Sequence, residues 1–189
     1  MALQLTRMFP TAFRDRRVYR GKEGEKIVLR PATREDAPEL TKRLARVVKE
    51  GIYLDENPDN LPTHREKRDE IREIHRNKGM YTVVEVEGKI AGAAMLRRGS
   101  KGISDHTAKF RTWLVPGYRG MGLGKKLMEY TIDWAHANGL EKINLDVWSS
   151  NDRAIQLYKK YGFRVEGRLR RQAILQGQYV DEVFMSLFL

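Results

Sequence analysis

The stretch VPGYRGMGLGK, residues 115–125, decides how the rest of the sequence is interpreted. An apolar strand pattern precedes it, and an amphipathic helix pattern follows it. Its glycines allow the backbone to approach a ligand closely and to turn several N–H groups into one concavity. The start of the helix adds unsatisfied donors and a positive dipole end. The stretch therefore predicts a loop that binds an anion such as a pyrophosphate, flanked by Arg119 and Lys125. A turn that merely starts the helix is the alternative.

Two common phosphate-binding motifs do not fit this loop. A Walker A loop requires Ser or Thr after its Gly-Lys pair, whereas Lys126 follows Gly124 and Lys125. A Rossmann fingerprint requires G-x-G-x-x-G early in a βαβ unit. Here Gly120, Gly122 and Gly124 give G-x-G-x-G after a run of strands. The sequence therefore argues against both a P-loop nucleotide hydrolase and a dinucleotide-binding domain.

The hydrophobic patterns on either side of the loop predict the element order β-α-α-β-β-β-α-β-α-β-β. The predicted strands lie at 27–31, 81–86, 89–96, 107–115 and 142–148, the helices near 33–48, 63–77, 123–138 and 151–161, and the final hairpin turns at 176–177. This order implies an α/β fold with one mixed sheet and helices on its faces. We expect a single domain over residues 26–189, preceded by a basic N-terminal extension over residues 1–25.

Composition limits the class of protein. The chain has 189 residues and 22.0 kDa, with 41% hydrophobic and 32% charged residues, which suits one domain with a real core. Its longest apolar run, Ile90 to Leu96, cannot span a bilayer, and no secretory leader is evident. There is no cysteine, and the four histidines have no metal-ligand spacing. We therefore expect a cytoplasmic protein with no membrane segment and no metal.

The charge balance is strongly basic. The formal net charge is +11 and the pI is about 9.9. Residues 1–22 carry six cations and one acid, and residues 77–189 carry 18 cations and 11 acids. Such an excess attracts polyanions, which include nucleic acid, an acidic protein and a phosphorylated cofactor. General solubility is the alternative explanation.

Two motifs together resemble a known family. The pattern R-x-x-G-x-G from Arg119 to Gly124, at a strand-to-helix junction, resembles the acetyl-coenzyme A signature of the GNAT superfamily of N-acetyltransferases. The stretch LDVWSSNDRAIQLYKKYGF, residues 145–163, is similar to the strand of that family followed by N-x-x-A-x-x-x-Y-x-x-x-G-F. The element order over residues 27–189 matches as well. Within the superfamily, the final hairpin (166–182) is similar to ribosomal-protein and small-molecule acetyltransferases. The resemblance implies a GNAT-like, mostly antiparallel mixed sheet flanked by helices on both faces.

The resemblance also implies acetyl-CoA as the co-substrate and a set of residues that hold it. The loop would bind the pyrophosphate, and the strand before it would bond the pantetheine arm through its backbone, beside the strand at 144–148. Asn151 would bond the pantetheine as well, although it could equally be a helix N-cap. The implied cofactor-binding residues are Trp113, Leu114, Val115, Arg119, Gly120, Met121, Gly122, Leu123, Gly124, Lys125, Asn151 and Tyr158.

The same resemblance makes Tyr158 the general acid for the departing thiolate. A phenol has an ordinary pKa of about 10, so it is neutral near pH 7 and can donate a proton. A core position is the alternative, since Tyr158 shares a helical face with Ala154, Leu157 and Tyr161.

The sequence leaves the identity of the general base open. Some relatives carry a glutamate on the long strand before the loop, but residues 107–115 contain no acid. Asp146 alternates away from the apolar residues of its strand and is the first candidate. Glu85, Asp105, His106 and an ordered water are the others.

The sequence therefore predicts an acetyl-CoA-dependent N-acetyltransferase acting on a primary amine, either a protein N-terminus or ribosomal protein or a small molecule. The alternatives are a basic nucleic-acid-binding module and a non-catalytic acyl-CoA sensor on the same fold. The expected partners are acetyl-CoA and the amine acceptor. The basic charge leaves nucleic-acid or ribosome association open, and a homodimer is also open.

Overall fold

A computed structural model describes residues 15–54 and 58–189. Within those ranges, eight strands form one sheet in the order β1-β2-β3-β4-β5-β6-β8-β7. Among the described strands, each neighbouring pair is antiparallel apart from β5 and β6, which are parallel. The strands are β1 Arg17–Arg20, β2 Lys26–Pro31, β3 Met80–Val86, β4 Lys89–Arg98, β5 Thr107–Leu114, β6 Lys142–Trp148, β7 Arg164–Leu175 and β8 Gln178–Phe188.

Four α-helices cover the sheet, and local signals in the sequence account for their ends. They are α1 Ala37–Val48, α2 His64–Arg76, α3 Leu123–Ala137 and α4 Asp152–Lys160. At the start of α2, the backbone N–H of Glu66 donates to the Thr63 hydroxyl (3.2 Å), and the Glu66 carboxylate accepts from the Thr63 N–H (2.7 Å). The α1 helix follows a 3₁₀ turn at Arg34–Asp36.

The core lies on both faces of the sheet. On one face, α1 and α2 bury residues such as Leu40 and Ile71 against Tyr81, Val83 and Trp113. On the other face lie the apolar side chains of α3 and α4 with those of β5, β6 and β8. The mixed, mostly antiparallel sheet with helices on both faces confirms the predicted fold class.

The N-terminal part of the sheet was not predicted. Arg17–Arg20, which the sequence analysis placed in the extension, pairs with β2 as an edge strand. A short strand with alternating half-buried and exposed residues gives little hydrophobic pattern, so the sequence did not reveal it. Its neighbour Asp15 accepts a hydrogen bond from the Tyr130 hydroxyl of α3 (2.8 Å), which attaches the segment to the domain. The first fourteen residues of the predicted extension lie outside the described residues.

The β5–β6 pair positions the functional site. The two strands pair over Thr107–Lys109 and Lys142–Asn144 and then diverge. Beyond this point, β5 remains paired with β4 and β6 remains paired with β8, so the divergence opens a cleft within the sheet.

Arg30 joins three elements near the start of α1. Its guanidinium donates to both carboxylate oxygens of Asp36 (2.7 and 2.8 Å) and to Glu85 on β3 (2.6 and 3.0 Å). Burial alone would raise the pKa of Asp36, but the hydrogen bonds from Arg30 and Thr33 outweigh burial and hold that pKa below its ordinary value. A lowered pKa in the folded state means that ionised Asp36 stabilises the fold above its unfolded-state pKa.

We expect the Arg30→Gln variant to lose about 1–3 kcal/mol of unfolding free energy at pH 7, because Asp36 and Glu85 lose a charged donor. The difference in unfolding free energy between variant and wild type should narrow as the pH falls from about 4 through the lowered pKa of Asp36 in the folded wild type, because the carboxyl is then protonated in both proteins. Urea unfolding between pH 2.5 and 7 measures this difference. A difference that stays constant over the whole range would contradict the assignment.

Candidate active site

The glycine-rich loop adopts the conformation that its composition predicts. Gly117, Gly120 and Gly122 have φ values of 91°, 90° and 75°, in the left-handed region that L side chains rarely occupy. Gly122 is the N-cap of α3 and supplies no capping side chain. The requirement for glycine at these positions therefore comes from the backbone, since a Cβ would meet no atom within 4 Å at any of the three.

The loop presents a row of unused donors. Within the described residues, none of the backbone N–H groups of residues 119–125 donates a hydrogen bond; the first such bond of the helix runs from Lys126 to Gly122. The first turn of α3 carries no acid, while Lys125 lies within it. Unpaired N–H groups at a helix N-terminus favour an anion. The geometry suits the anion-binding loop that the sequence predicts.

One large cavity contains this loop and the diverging strands. Its volume is about 840 Å³. Of the predicted site residues, those that line it are Trp113, Leu114, Arg119, Gly120, Gly122, Leu123, Gly124, Lys125, Asp146, Asn151 and Tyr158. Two others do not line it: Val115 is fully buried and its N–H donates to Ala91, and Met121 packs against the core. The facing backbone edges of β5 and β6 border the same space.

Tyr158 is buried in the core and also lines the cavity, so its position is compatible with both alternatives that the sequence left open. It is 8% exposed, and its ring packs edge-on against Phe110 (6.3 Å between centroids) and lies 5.7 Å from Phe163. It also lines the cavity, and no hydrogen bond of its hydroxyl occurs among the described residues. Burial, and then the charge of Asp146, raises the pKa of Tyr158, so the phenol stays protonated throughout the neutral range.

Asn151 and Asp146 have local partners. The Asn151 side chain accepts a hydrogen bond from the Ala154 N–H (3.2 Å), so it is an N-cap of α4 at the wall of the cavity. Asp146 lies on the face of β6 opposite Leu145, as predicted, and its carboxylate is 2.5 Å from the ammonium of Lys109. Any action of Asp146 as a base would compete with this ion pair.

The remaining base candidates lie elsewhere. Glu85 is bonded to Arg30 on the far side of β4, and neither Asp105 nor His106 lines the cavity. Glu182 of β8 lines it and was not considered in the sequence analysis. It lies opposite Trp148 across β6 and β8, a neighbour that only the strand register reveals.

Arg119 is engaged within the protein. Its guanidinium makes a two-bond pair with Glu50 (2.9 and 2.6 Å), donates to the Leu114 carbonyl (2.9 and 3.2 Å) and lies 4.6 Å above the Tyr53 ring. Its charge is thus already balanced. The side chain joins the end of β5 to the segment after α1. An anion in the loop would therefore be bound mainly by the loop N–H groups.

Comparison with known proteins identifies the family. Residues 49–163, more than half of the chain, match the model of the acetyltransferase (GNAT) family. The chain belongs to the GNAT acetyltransferase family. Spermidine N(1)-acetyltransferase of Escherichia coli K12 is 31% identical over 118 residues. That match spans 62% of this chain and 62% of the relative, so more than a third of the relative is unmatched.

Solved structures agree with this assignment. The acetyltransferase of the GNAT family from Streptococcus pneumoniae superposes with a TM-score of 0.81 at 28% identity, covering 86% of this chain and 99% of that one. A GNAT superfamily phosphinothricin acetyltransferase from Sinorhizobium meliloti, in complex with acetyl-CoA, gives a TM-score of 0.78 at 22% identity, covering 86% and 88%. This second likeness concerns the fold alone.

The GNAT domain has no evident metal centre or membrane helix in its described part. Within residues 15–54 and 58–189, no group of three metal-ligating side chains lies close together. No helix in the same ranges has the length and apolar character needed to cross a bilayer.

The two central glycines of the loop should respond differently to alanine. Gly122→Ala places a side chain at a φ of 75°, so we expect a loss of about 1–2 kcal/mol in unfolding free energy. Gly124 lies in the first turn of α3, where a Cβ would make contacts of 3.4 Å with Leu157 and 3.9 Å with Leu114. Gly124→Ala should therefore be at least as stable as wild type.

Urea unfolding of both variants measures the difference. Equal destabilisation of the two variants would contradict the role assigned to backbone conformation at Gly122.

Proposed function

We propose that this protein is an acetyl-CoA-dependent N-acetyltransferase that transfers an acetyl group to a primary amine. The observation that carries the proposal is that one cavity joins two features. They are the N–H groups of residues 119–125, which have no acceptor within the described part of the chain, and the diverging edges of β5 and β6. The family membership and the names of its relatives support the same activity.

The cavity suits the parts of acetyl-CoA. A pyrophosphate at the loop would accept hydrogen bonds from the N–H groups of residues 119–125, and the positive end of the helix dipole would stabilise its charge. The cations Lys125, Arg153 and Lys160 line the cavity on α3 and α4 and would face the phosphates. The free edges of β5 and β6 offer backbone donors and acceptors to the amides of the pantetheine arm. Met128 and Leu157 add apolar lining beside that arm.

The proposed reaction forms one bond and breaks another. Acetyl-CoA supplies an activated thioester; a C–N bond forms to the amine as the C–S bond breaks. The amine releases one proton, and the sulfur takes up one proton. The protein therefore has to hold the two reactants in line, supply a proton beside the sulfur and allow the amine to lose one.

Tyr158 is the residue proposed to supply the proton. Its hydroxyl is protonated at neutral pH and lies in the wall of the cavity, and its ring is fixed by Phe110 and Phe163. A fixed donor requires little reorganisation during the reaction. The amine proton passes either to the carboxylate of Asp146, the candidate general base on β6, or to water.

Direct binding of the co-substrate tests the proposal. Isothermal titration of the full chain with acetyl-CoA should show one site, and a thiol-release assay with a panel of amines should then show turnover. Absence of binding at millimolar acetyl-CoA would overturn the proposal. Binding without turnover on any amine would favour the acyl-CoA sensor, and salt-sensitive retention of nucleic acid without acetyl-CoA binding would favour the nucleic-acid module.

The Tyr158→Phe variant should separate catalysis from packing. It keeps the ring against Phe110 and removes only the hydroxyl, so we expect stability within about 1 kcal/mol of wild type and unchanged acetyl-CoA affinity. Turnover should fall by about a hundredfold, the low end for a positioned general acid.

Tyr161, at the C-terminal end of the helix that carries Tyr158, provides a matched control. Tyr161→Phe removes a hydroxyl that donates to Glu129 (3.0 Å) and should leave turnover near wild type. Thermal unfolding, titration and steady-state rates are measured on both variants. Normal turnover in Tyr158→Phe would remove Tyr158 from the chemistry.

A further inference from the structure

The segment that follows α1 is attached to the core at its start. We call residues 49–54 the post-α1 segment; it contributes Tyr53 and Leu54 to the wall of the cavity. The backbone N–H of Glu50 donates to the carbonyl of Val47 in the last turn of α1 (3.2 Å), and Val47 is buried against the sheet. The carboxylate of Glu50 therefore projects from a well-anchored part of the fold.

The post-α1 segment contacts the guanidinium of Arg119 at two places. Glu50 accepts two hydrogen bonds from it (2.9 and 2.6 Å), and the Tyr53 ring lies over it at 4.6 Å. A two-bond pair with a carboxylate fixes the plane of a guanidinium as well as its position. Because the side chains of Arg119 and Glu50 are only 25% and 26% exposed, water screens this pair less than it screens a surface ion pair. Arg119 is therefore held in one orientation.

The orientation of Arg119 determines what the edge of β5 offers to a ligand. The N–H of Val115 donates to Ala91 on the β4 side, so the backbone groups of Leu114, one residue earlier, face the cleft. Arg119 donates two hydrogen bonds to the Leu114 carbonyl (2.9 and 3.2 Å). The acceptor of Leu114 is thus already used, and its N–H is the backbone group directed at a ligand in the cleft.

The loop itself needs an anchor at Arg119. The backbone N–H of Arg119 is the first of the donors in residues 119–125 that would bind the pyrophosphate. Gly117 and Gly120, which lie close to it on either side, have φ values of 91° and 90°. Glycine backbone has wide conformational freedom, so the loop loses more entropy on becoming ordered than other backbone does. A side-chain contact that fixes Arg119 between the two glycines lowers the cost of ordering the donors when a ligand binds.

We infer that Glu50 is a positioning residue for the acetyl-CoA site. Glu50 does not itself line the cavity; it acts through Arg119, which fixes the first donor of the loop and covers the Leu114 carbonyl. This inference rests on the proposed acetyltransferase function and concerns the same cavity. It gives the post-α1 segment, which forms another wall of the cavity, a part in the affinity for the co-substrate.

Isothermal titration of the full chain with acetyl-CoA tests the inference in the Glu50→Gln variant. The substitution keeps the size of the side chain but removes its charge and one of its two acceptor oxygens. We expect the Kd for acetyl-CoA to rise about five- to tenfold, because the loop is less ordered before the ligand binds. The KM for acetyl-CoA should rise as well, while kcat stays within about twofold of wild type, measured with an amine that the wild type acetylates.

Glu39→Gln is the matched control. Glu39 lies on α1, accepts two hydrogen bonds from Arg43 (3.1 and 2.9 Å) and does not line the cavity, so its substitution should leave the Kd unchanged. A double-mutant cycle with Arg119→Gln shows the route of the effect. In the Arg119→Gln background, Glu50→Gln should change the Kd by less than about twofold. Fully additive effects would contradict an action through Arg119.

Salt separates the effect of position from the effect of charge. Glu50→Gln also leaves the charge of Arg119 unbalanced, which by itself favours an anion in the loop. Dissolved salt screens this attraction, whereas it does not restore the order of the loop. In titrations at about 0.05 and 0.5 M potassium chloride, the weakening relative to wild type should therefore be at least as large at the higher concentration.

The outcomes distinguish this inference from the proposed function. Failure of the wild type to bind acetyl-CoA would overturn both. Equal or tighter binding by folded Glu50→Gln would overturn the role of Glu50 and leave the acetyltransferase intact. If Glu50→Gln does not fold, Tyr53→Leu frees the same guanidinium from its other side and should weaken binding about two- to threefold, again only when Arg119 is present. Unchanged affinity in Tyr53→Leu would then overturn the inference.

Discussion

Parallel pairing between β5 and β6 stops after Lys109 and Asn144, and the candidate site exists because it stops there. Each strand keeps its other neighbour, so the sheet stays intact, while the two facing backbone edges have no strand partner among the described residues. Exposed strand edges normally invite another strand. Here they border a cavity closed by α3 and α4, which makes them suitable for the amides of a ligand and inaccessible to another sheet.

The glycine loop depends on the same divergence. It begins where β5 ends and leads into α3, so its N–H groups face the open end of the cleft. Arg119 fixes this geometry by joining the Leu114 carbonyl to Glu50 after α1. The motif arginine therefore acts on protein groups, and the anion-binding capacity rests on backbone that three left-handed glycines hold in place. A substitution that moves Glu50 would therefore alter the position of the loop through Arg119.

The charges of the cavity are divided between its two ends. Cations of α3 and α4 surround the loop, and those of β4 and β5 lie toward the closed end of the cleft. Tyr158 lies in the wall, where burial and Asp146 keep its phenol protonated. At the loop end, N–H groups and cations are placed to favour an anion, and the phenol of Tyr158 in the wall is neutral. The overall net charge of +11 gives no indication of this division.

The sequence by itself determined the family, the element order and the residues of the loop, because glycine spacing and hydrophobic periodicity are local properties that the sequence records. It also placed Asn151 at a helix start and Asp146 away from the core. It missed β1, whose four residues carry little hydrophobic pattern. It could not choose between a core position and a site position for Tyr158, which is buried and also lines the cavity.

Tertiary structure alone decided the pairing of Arg119 with Glu50, the entry of Glu182 into the cavity and the grouping of Arg97 with Arg111. Those contacts join residues that are 69 positions apart or lie on different strands. Side-chain neighbours across a sheet follow from the pairing of strands, which the periodicity along a single strand does not reveal.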